Sequence, residues 1–166
     1  SVSLSADGQT VAIGAIYNDA NRGATTSNAG HVRIYSWDGS TWNQLGSDID
    51  GEEAHENSGW SVSLADNGRT VAIGSNHSFF GGDGNNSGHA RIYSWNGSSW
   101  NQIGVDIDGE ADGDEFGYFV SLSTDGQIVA IGGCRNDGNG DNAGHVRVFR
   151  LAPTFDSLST NIDIIS

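Results

Sequence analysis

"SWDGSTWNQLGSDIDGE" (residues 36–52) returns as "SWNGSSWNQIGVDIDGE" (residues 94–110), with the first Trp of each 58 residues apart (95 − 37). In the first copy Asp38-Gly39 lies between Trp37 and Trp42, and in the second Asn96-Gly97 lies between Trp95 and Trp100. Asx-Gly between β-prone runs signals a tight hairpin, because Gly adopts positive φ without penalty and Asx is a favoured turn residue. The pattern predicts a hairpin whose paired indoles pack across the turn.

Outward from this hairpin the chain continues to repeat. "SVSLSADGQTVAIGA" (residues 1–15) returns as "SVSLADNGRTVAIGS" (61–75) and "VSLSTDGQIVAIGG" (120–133). "AGHVRIYSW" (29–37) returns as "SGHARIYSW" (87–95) and "AGHVRVF" (143–149). Gly14, Gly74 and Gly132 recur at intervals of 60 and 58 residues (74 − 14, 132 − 74). A fixed period marks a repeat architecture, in which one unit cannot bury its apolar face alone.

Each unit is β throughout. "SVSLS" and "TVAIG" are short Val- and Ile-rich runs separated by the turn Ala6-Asp7-Gly8, and "HVRIYSW" alternates between faces. With 25 glycines in 166 residues and no apolar spacing at helical period, long helices are excluded. The expectation is an all-β fold of four-stranded antiparallel meanders, the blades of a β-propeller. A β-solenoid is the alternative, but its coils usually need fewer residues. Blades are expected over residues 1–59 and 60–117, with an incomplete third over 118–151. Residues 152–166, which hold the only proline, Pro153, lack the Trp hairpin. They are expected to form a substitute edge strand or a linker to a further domain.

Seven Arg, no Lys and 21 Asp plus Glu give a formal net charge of −14. Such a surface repels nucleic acid and anionic membranes and gathers divalent cations. Cys134 is the single cysteine, so no intrachain disulfide forms. No apolar run approaches the roughly 20 residues of a membrane helix. The chain opens inside a repeat unit, which suggests a segment of a longer polypeptide. The expected partners are accordingly further blades of the same longer chain, or other copies in self-association.

"EFGYFVSLSTDGQIVAIGG" (residues 115–133) resembles the FG-GAP repeat, the blade of the integrin α-subunit propeller and of many bacterial surface proteins. Phe116-Gly117 is the Phe-Gly of the motif; the preceding unit has Ser58-Gly59-Trp60 there. The Gly-Ala-Pro part is reduced to Gly14-Ala15, Gly74-Ser75 and Gly132-Gly133. The resemblance covers about 150 residues. It implies a propeller fold and an extracellular or cell-surface setting, with carbohydrate or surface proteins as further partners. It also implies calcium in Asp-rich turns between the first two strands of a blade. Here those turns (Ala6-Asp7-Gly8, Asp66-Asn67-Gly68 and Thr124-Asp125-Gly126) are too short to cage a cation, so that site is not carried over.

Calcium is instead expected in two other acidic loops. The first holds Asp19 and Asn21 in unit one, Asp83 and Asn85 in unit two, and Asp137, Asn139 and Asp141 in unit three. Alternate oxygen-bearing residues in a tight turn can converge on one hard cation. The second is Asp48-Ile49-Asp50-Gly51-Glu52, repeated as Asp106, Asp108 and Glu110 and extended by Asp112 and Asp114. Carboxylates this dense repel one another unless solvent or a cation relieves them. The competing reading is plain turn chemistry, since Asx side chains cap their own backbone.

His31, His89 and His145 recur at one strand position and are expected to pack between blades. Arg33, Arg91 and Arg147, two residues on, are expected to pair with the acidic loops or stack on aromatics. Trp42 and Trp100 are expected to cover the outer hairpin, with a carbohydrate platform as the alternative. Asn76, Asn85 and Asn96 head Asn-x-Ser triplets, the glycosylation acceptor pattern. No nucleophile–base spacing or zinc pattern stands out. The expected function is a non-catalytic extracellular module for adhesion or for surface or fibre assembly, part of a larger propeller or oligomer. A polysaccharide-active enzyme and a lectin-like binder are the alternatives.

Overall fold

The computed structural model describes residues 1–19, 28–76 and 87–151, together with the backbone of residues 163–164. Asn21, Asp83 and Asn85 fall outside the described residues. The described chain is all-β and forms three antiparallel sheets, none closed into a barrel.

The first sheet contains β1 (Val2–Leu4), β2 (Thr10–Ala15), β3 (His31–Trp37), β4 (Trp42–Gln44) and β5 (Ile49–Asp50). Strands β1 to β4 follow as a meander, and β5 returns to pair with β3. The fourth position is therefore occupied by a broken strand. The outer half of β3 pairs with β4 (Trp37 with Trp42), and its inner half pairs with β5 (His31 with Asp50). The second sheet repeats this with β6 (Ser58–Leu64), β7 (Thr70–Ser75), β8 (His89–Trp95), β9 (Trp100–Gln102) and β10 (Ile107–Asp108). The third has β11 (Phe116–Leu122), β12 (Ile128–Gly133), β13 (His145–Arg150) and β14 (Asp163–Ile164). In it, β14 pairs with β13 through Phe149–Ile164.

The stretches 48–52 and 106–110, expected as loops, are in part strand. Ile49 and Ile107 explain it, since each is buried at the centre of its segment (8% and 6% exposed) and ties the short strand down. Asp38 and Asn96 explain the hairpins. Asp38 Oδ1 accepts from the Ser40 and Thr41 amides at 2.8 and 2.9 Å, and Asn96 Oδ1 from those of Ser98 and Ser99 at 2.9 Å. Both are Asx caps of the turn. The indoles meet across it as expected, with centroids 5.6 Å apart in Trp37–Trp42 and 5.4 Å in Trp95–Trp100.

The apolar core lies between sheets. Ala12, Val32, Ile34 and Ile49 of the first sheet pack against Leu64, Val71 and Ile73 of the second. Ala72, Ala90, Ile92 and Ile107 of the second pack against Phe116, Val129, Ile131 and Phe149 of the third. Alternation in each strand thus gives every sheet two apolar faces, one for each neighbour. These are propeller-type blades stacked face to face.

Candidate functional site: the junctions between blades

Two features repeat at both junctions. The first is close backbone approach at glycine. Gly59 and Gly117 have φ near +87° and +88° and sit where β6 and β11 bulge against β7 and β12. A Cβ on Gly14 would lie 2.2 Å from the Gly59 carbonyl oxygen, and one on Gly74 2.1 Å from that of Gly117. A side chain at any of the four would force adjacent blades apart. This assigns the Gly of the Phe-Gly motif its physical role.

The second feature is a pair of serine pins. Ser1 Oγ donates to the Gly59 carbonyl at 2.7 Å, and Ser3 Oγ accepts from the Leu64 amide at 2.9 Å. One repeat later Ser61 Oγ donates to the Gly117 carbonyl at 2.8 Å, and Ser63 Oγ accepts from the Leu122 amide at 2.9 Å. The turns continue the seam, with the Ala6 amide donating to the Asp66 carbonyl and the Asp66 amide to that of Thr124, both at 3.1 Å. On the first strands of blades two and three Trp60 packs against Tyr118, with centroids 5.3 Å apart and ring planes tilted by 54°.

Charge is concentrated at the first junction. Glu56, fully buried, leaves the end of blade one and enters blade two. Its Oε1 accepts from Arg91 Nη1 at 2.7 Å and from Ser75 Oγ at 3.3 Å; its Oε2 accepts from the Glu52 and Glu53 amides. His89 Nε2 lies 3.3 Å from Oε1, a contact too poorly aligned to count as a hydrogen bond. Arg91 also meets Asp106 at 2.8 Å and Glu52 at 3.3 Å. Burial alone would raise the Glu56 carboxyl. Its contact with His89 and the charge of Arg91 outweigh burial and hold it down at about 2.

The second junction meets the same need differently. Asp114 stands at the position of Glu56 and is one methylene shorter. It accepts from Asn136 Nδ2 at 2.9 Å and from the Glu110 and Ala111 amides at 3.1 and 3.0 Å. Arg147 then turns to the fully buried Phe116, its guanidinium 4.0 Å from the ring centroid, while His145 meets the ring edge-on. Glu110 lies 3.6 Å from Arg147, which also donates to the Asp108 carbonyl. Arginine at this strand position thus pairs with acid at one junction and with acid and aromatic at the next.

The remaining sequence candidates disperse. Asp19 Oδ1 accepts from the Asn28 amide at 3.0 Å. Asp137, Asn139 and Asp141 lie on one exposed turn, where Asp137 Oδ1 accepts from the Asn142 amide at 2.7 Å. Asp106 is taken by Arg91, whereas Asp108 and Glu110 are exposed. Asn76 is buried (7% exposed) and Asn96 caps its turn in solvent. Trp100 donates from Nε1 to the Leu45 carbonyl across the first junction, so its indole belongs to the interface. Trp42, the same residue in blade one, is 45% exposed.

Among the described residues, the acid–histidine group whose ligand atoms lie within 4.8 Å of one another is His31, Asp48 and Asp50. Burial, aided by the Arg33 charge, keeps the His31 imidazole below its ordinary range, which suits a neutral ligand. Asp48, however, already holds Arg33 through Nε and Nη2 at 2.8–3.0 Å and Gln44 at 2.7 Å. In this arrangement Arg33 and Gln44 are the partners of Asp48.

Glu56 and the four serine pins were not singled out by sequence. The signal was a spacing: Glu56 and Asp114 each stand two residues before the Ser-Gly or Phe-Gly bulge.

The stacked meanders, bulge glycines and serine pins define a protein of propeller-type blades. Residues 105–149 match the sequence model of the FG-GAP repeat. That span includes Phe116-Gly117 and Arg147 of the second junction. No curated protein matches the chain.

Proposed function

We propose that the chain is a non-catalytic, extracellular repeat module for adhesion or surface assembly. One observation carries this reading: the polar residues that recur from unit to unit join blades to each other. Arg91 and Glu56 form a buried ion pair, and Ser1, Ser3, Ser61 and Ser63 pin backbone across junctions. The most shifted buried carboxyl, Glu56, is held ionised by this packing, as a structural pair requires. The FG-GAP match supports a surface setting, because repeats of this kind are typical of surface proteins. The Lys-free acidic composition suits it too. No helix of the described residues is long and apolar enough to cross a membrane.

Calcium enters this reading as a proposal at the blade-one edge, where Asp48 and Asp50 offer carboxylate oxygens and an ion would have to compete with Arg33 for Asp48.

Retention of the purified chain on immobilised polysaccharides and surface-protein extracts, with product analysis of the same samples, tests the proposal. Retention without bond cleavage is expected. Turnover of any polysaccharide replaces the module reading with the enzymatic one.

A further inference from the structure

The chain holds three Asn-Gly pairs, Asn67-Gly68, Asn96-Gly97 and Asn139-Gly140. In such a pair the backbone nitrogen of the glycine can attack the side-chain amide carbon of the asparagine, because no side chain shields it. The reaction needs an unengaged glycine N–H, donors for the oxyanion that forms, and a partner for the departing nitrogen.

Two of the pairs have a nucleophile that is already engaged. The Gly68 amide donates to the Ala65 carbonyl at 2.9 Å, and the Gly140 amide to that of Asp137 at 3.1 Å. Gly68 is also buried, and Asn67 Oδ1 accepts from the Arg69 amide at 2.8 Å. Gly97 is different. It is exposed, a Cβ on it would meet nothing within 4 Å, and its N–H makes no hydrogen bond among the described residues. Three donors converge on Asn96 Oδ1: the Ser98 amide at 2.9 Å, Ser98 Oγ at 3.0 Å and the Ser99 amide at 2.9 Å. Asn96 Nδ2 donates to Ser99 Oγ at 3.1 Å. The cap that shapes the hairpin is thereby also an oxyanion hole, aimed at the oxygen that gains charge when Cγ is attacked.

Blade one shows that a carboxylate fits the same turn. Asp38 holds the position of Asn96, and its Oδ1 accepts from the Ser40 amide, Ser40 Oγ and the Thr41 amide at 2.8–2.9 Å. Its Oδ2 accepts from Asn43 Nδ2 at 2.7 Å, and Asn101 stands at the position of Asn43 in blade two.

We infer that Asn96-Gly97 is a self-modification site, at which the blade-two hairpin deamidates without an enzyme. Solvent base takes the Gly97 amide proton, the nitrogen bonds to Asn96 Cγ, and the bond from Cγ to Nδ2 breaks with release of ammonia. Water then opens the cyclic imide at either carbonyl. Opening at Cγ gives aspartate, which keeps the hairpin as Asp38 does and adds one negative charge. Opening at the backbone carbonyl gives isoaspartate, which routes the main chain through the former side chain and lengthens the turn by a methylene. That product displaces Trp95 from Trp100, whose Nε1 holds the Leu45 carbonyl across the first junction. The inference stands independently of the adhesion reading.

Incubation of the folded chain, produced without glycosylation, in mildly alkaline buffer tests it, with peptide mapping by mass spectrometry. Conversion at Asn96 is expected to run at least about fivefold faster than at Asn67 or Asn139, whose glycine amides must first leave a hydrogen bond. Ser98→Ala removes the hydroxyl donor and keeps both amides, and is expected to slow conversion at Asn96 severalfold. Asn96→Asp is expected to melt with wild type, and the isoaspartate fraction, separated by chromatography, to melt lower. Conversion at Asn67 or Asn139 that matches Asn96 overturns the inference, and this comparison needs no variant to fold. So does an Asn96 that stays intact while the same pair converts in urea-unfolded chain. An unchanged rate in Ser98→Ala overturns the role given to the cap, and an isoaspartate fraction that melts with wild type overturns the link to the junction.

Discussion

Arg91 Nη1 lies 2.7 Å from Glu56 Oε1, joining residues 35 positions apart in sequence and on different blades. Both side chains are buried, at 6% and 1% exposed. Breaking such a pair by removing one charge leaves the other uncompensated in a poorly solvated place. Glu56→Gln is expected to destabilise the chain by about 3 kcal/mol at neutral pH, measured by urea denaturation. A loss no larger than that of an exposed Glu→Gln control, such as Glu53→Gln, would place the strength of the junction elsewhere.

The same carboxyl sets an acid limit. Its value falls from 4.5 to about 2 on folding. A depressed carboxyl contributes stability that is full above the unfolded value and lost as pH falls towards the folded one. Melting temperature is therefore expected to drop between about pH 4.5 and pH 2. In Glu56→Gln the drop over that window is expected to be shallower. An identical acid limb in both proteins would refute the assignment.

The serine pins predict a positional contrast. Ser63→Ala removes the acceptor for the Leu122 amide and is expected to cost about 1 kcal/mol. Ser121→Ala, at the same position in the exposed last blade, is expected to change the monomer by less than about 0.5 kcal/mol. Chemical denaturation at low protein concentration measures both. Equal losses would show that serine matters to its own strand rather than to the seam.

Glycine gives a sharper contrast. Gly74→Ala places a methyl 2.1 Å from the Gly117 carbonyl oxygen, while Gly132→Ala meets nothing within 3.7 Å. The first is expected to cost more than about 3 kcal/mol through forced separation of packed blades, and the second less than about 1 kcal/mol. Thermal melts of the two variants check this directly.

For the cation, melting temperature in calcium and in chelator is the measurement. On the proposed site, calcium raises it and Asp50→Asn removes the increment, since ligand bound only to the native state stabilises by mass action. A melting temperature indifferent to calcium leaves Asp48 to Arg33 and Gln44.

The hairpins could be read from sequence because their determinants are local. Trp37, Asp38, Gly39 and Trp42 lie within one turn, and no distant residue is needed to decide it. The bulge glycines could be placed for the same reason, as could the arginines at alternate strand positions. Glu56 could not. It sits among Glu52, Glu53 and Asp50, and only its place two residues before Ser58-Gly59, shared with Asp114 before Phe116-Gly117, sets it apart. Its burial depends on Arg91, His89 and Ser75, which reach it only once two sheets have stacked. The broken fourth strand escaped for a related reason. Asp48-Ile49-Asp50 looks like a solvated turn until Arg33 neutralises Asp48 and Val32 offers Ile49 a pairing partner.

Among the described residues each blade packs on its sequence neighbours, so the middle sheet has both faces covered. Val71, Ala72 and Ala90 are all wholly inaccessible there, whereas Val2 and Val146 at the two ends stand in solvent. Unfolding should then travel inward, the terminal sheets opening at little cost while the centre is held by two interfaces. Amide hydrogen exchange would record that as a gradient along the chain, slowest in β7 and β8 and faster towards β1 and β13, rather than as one common rate.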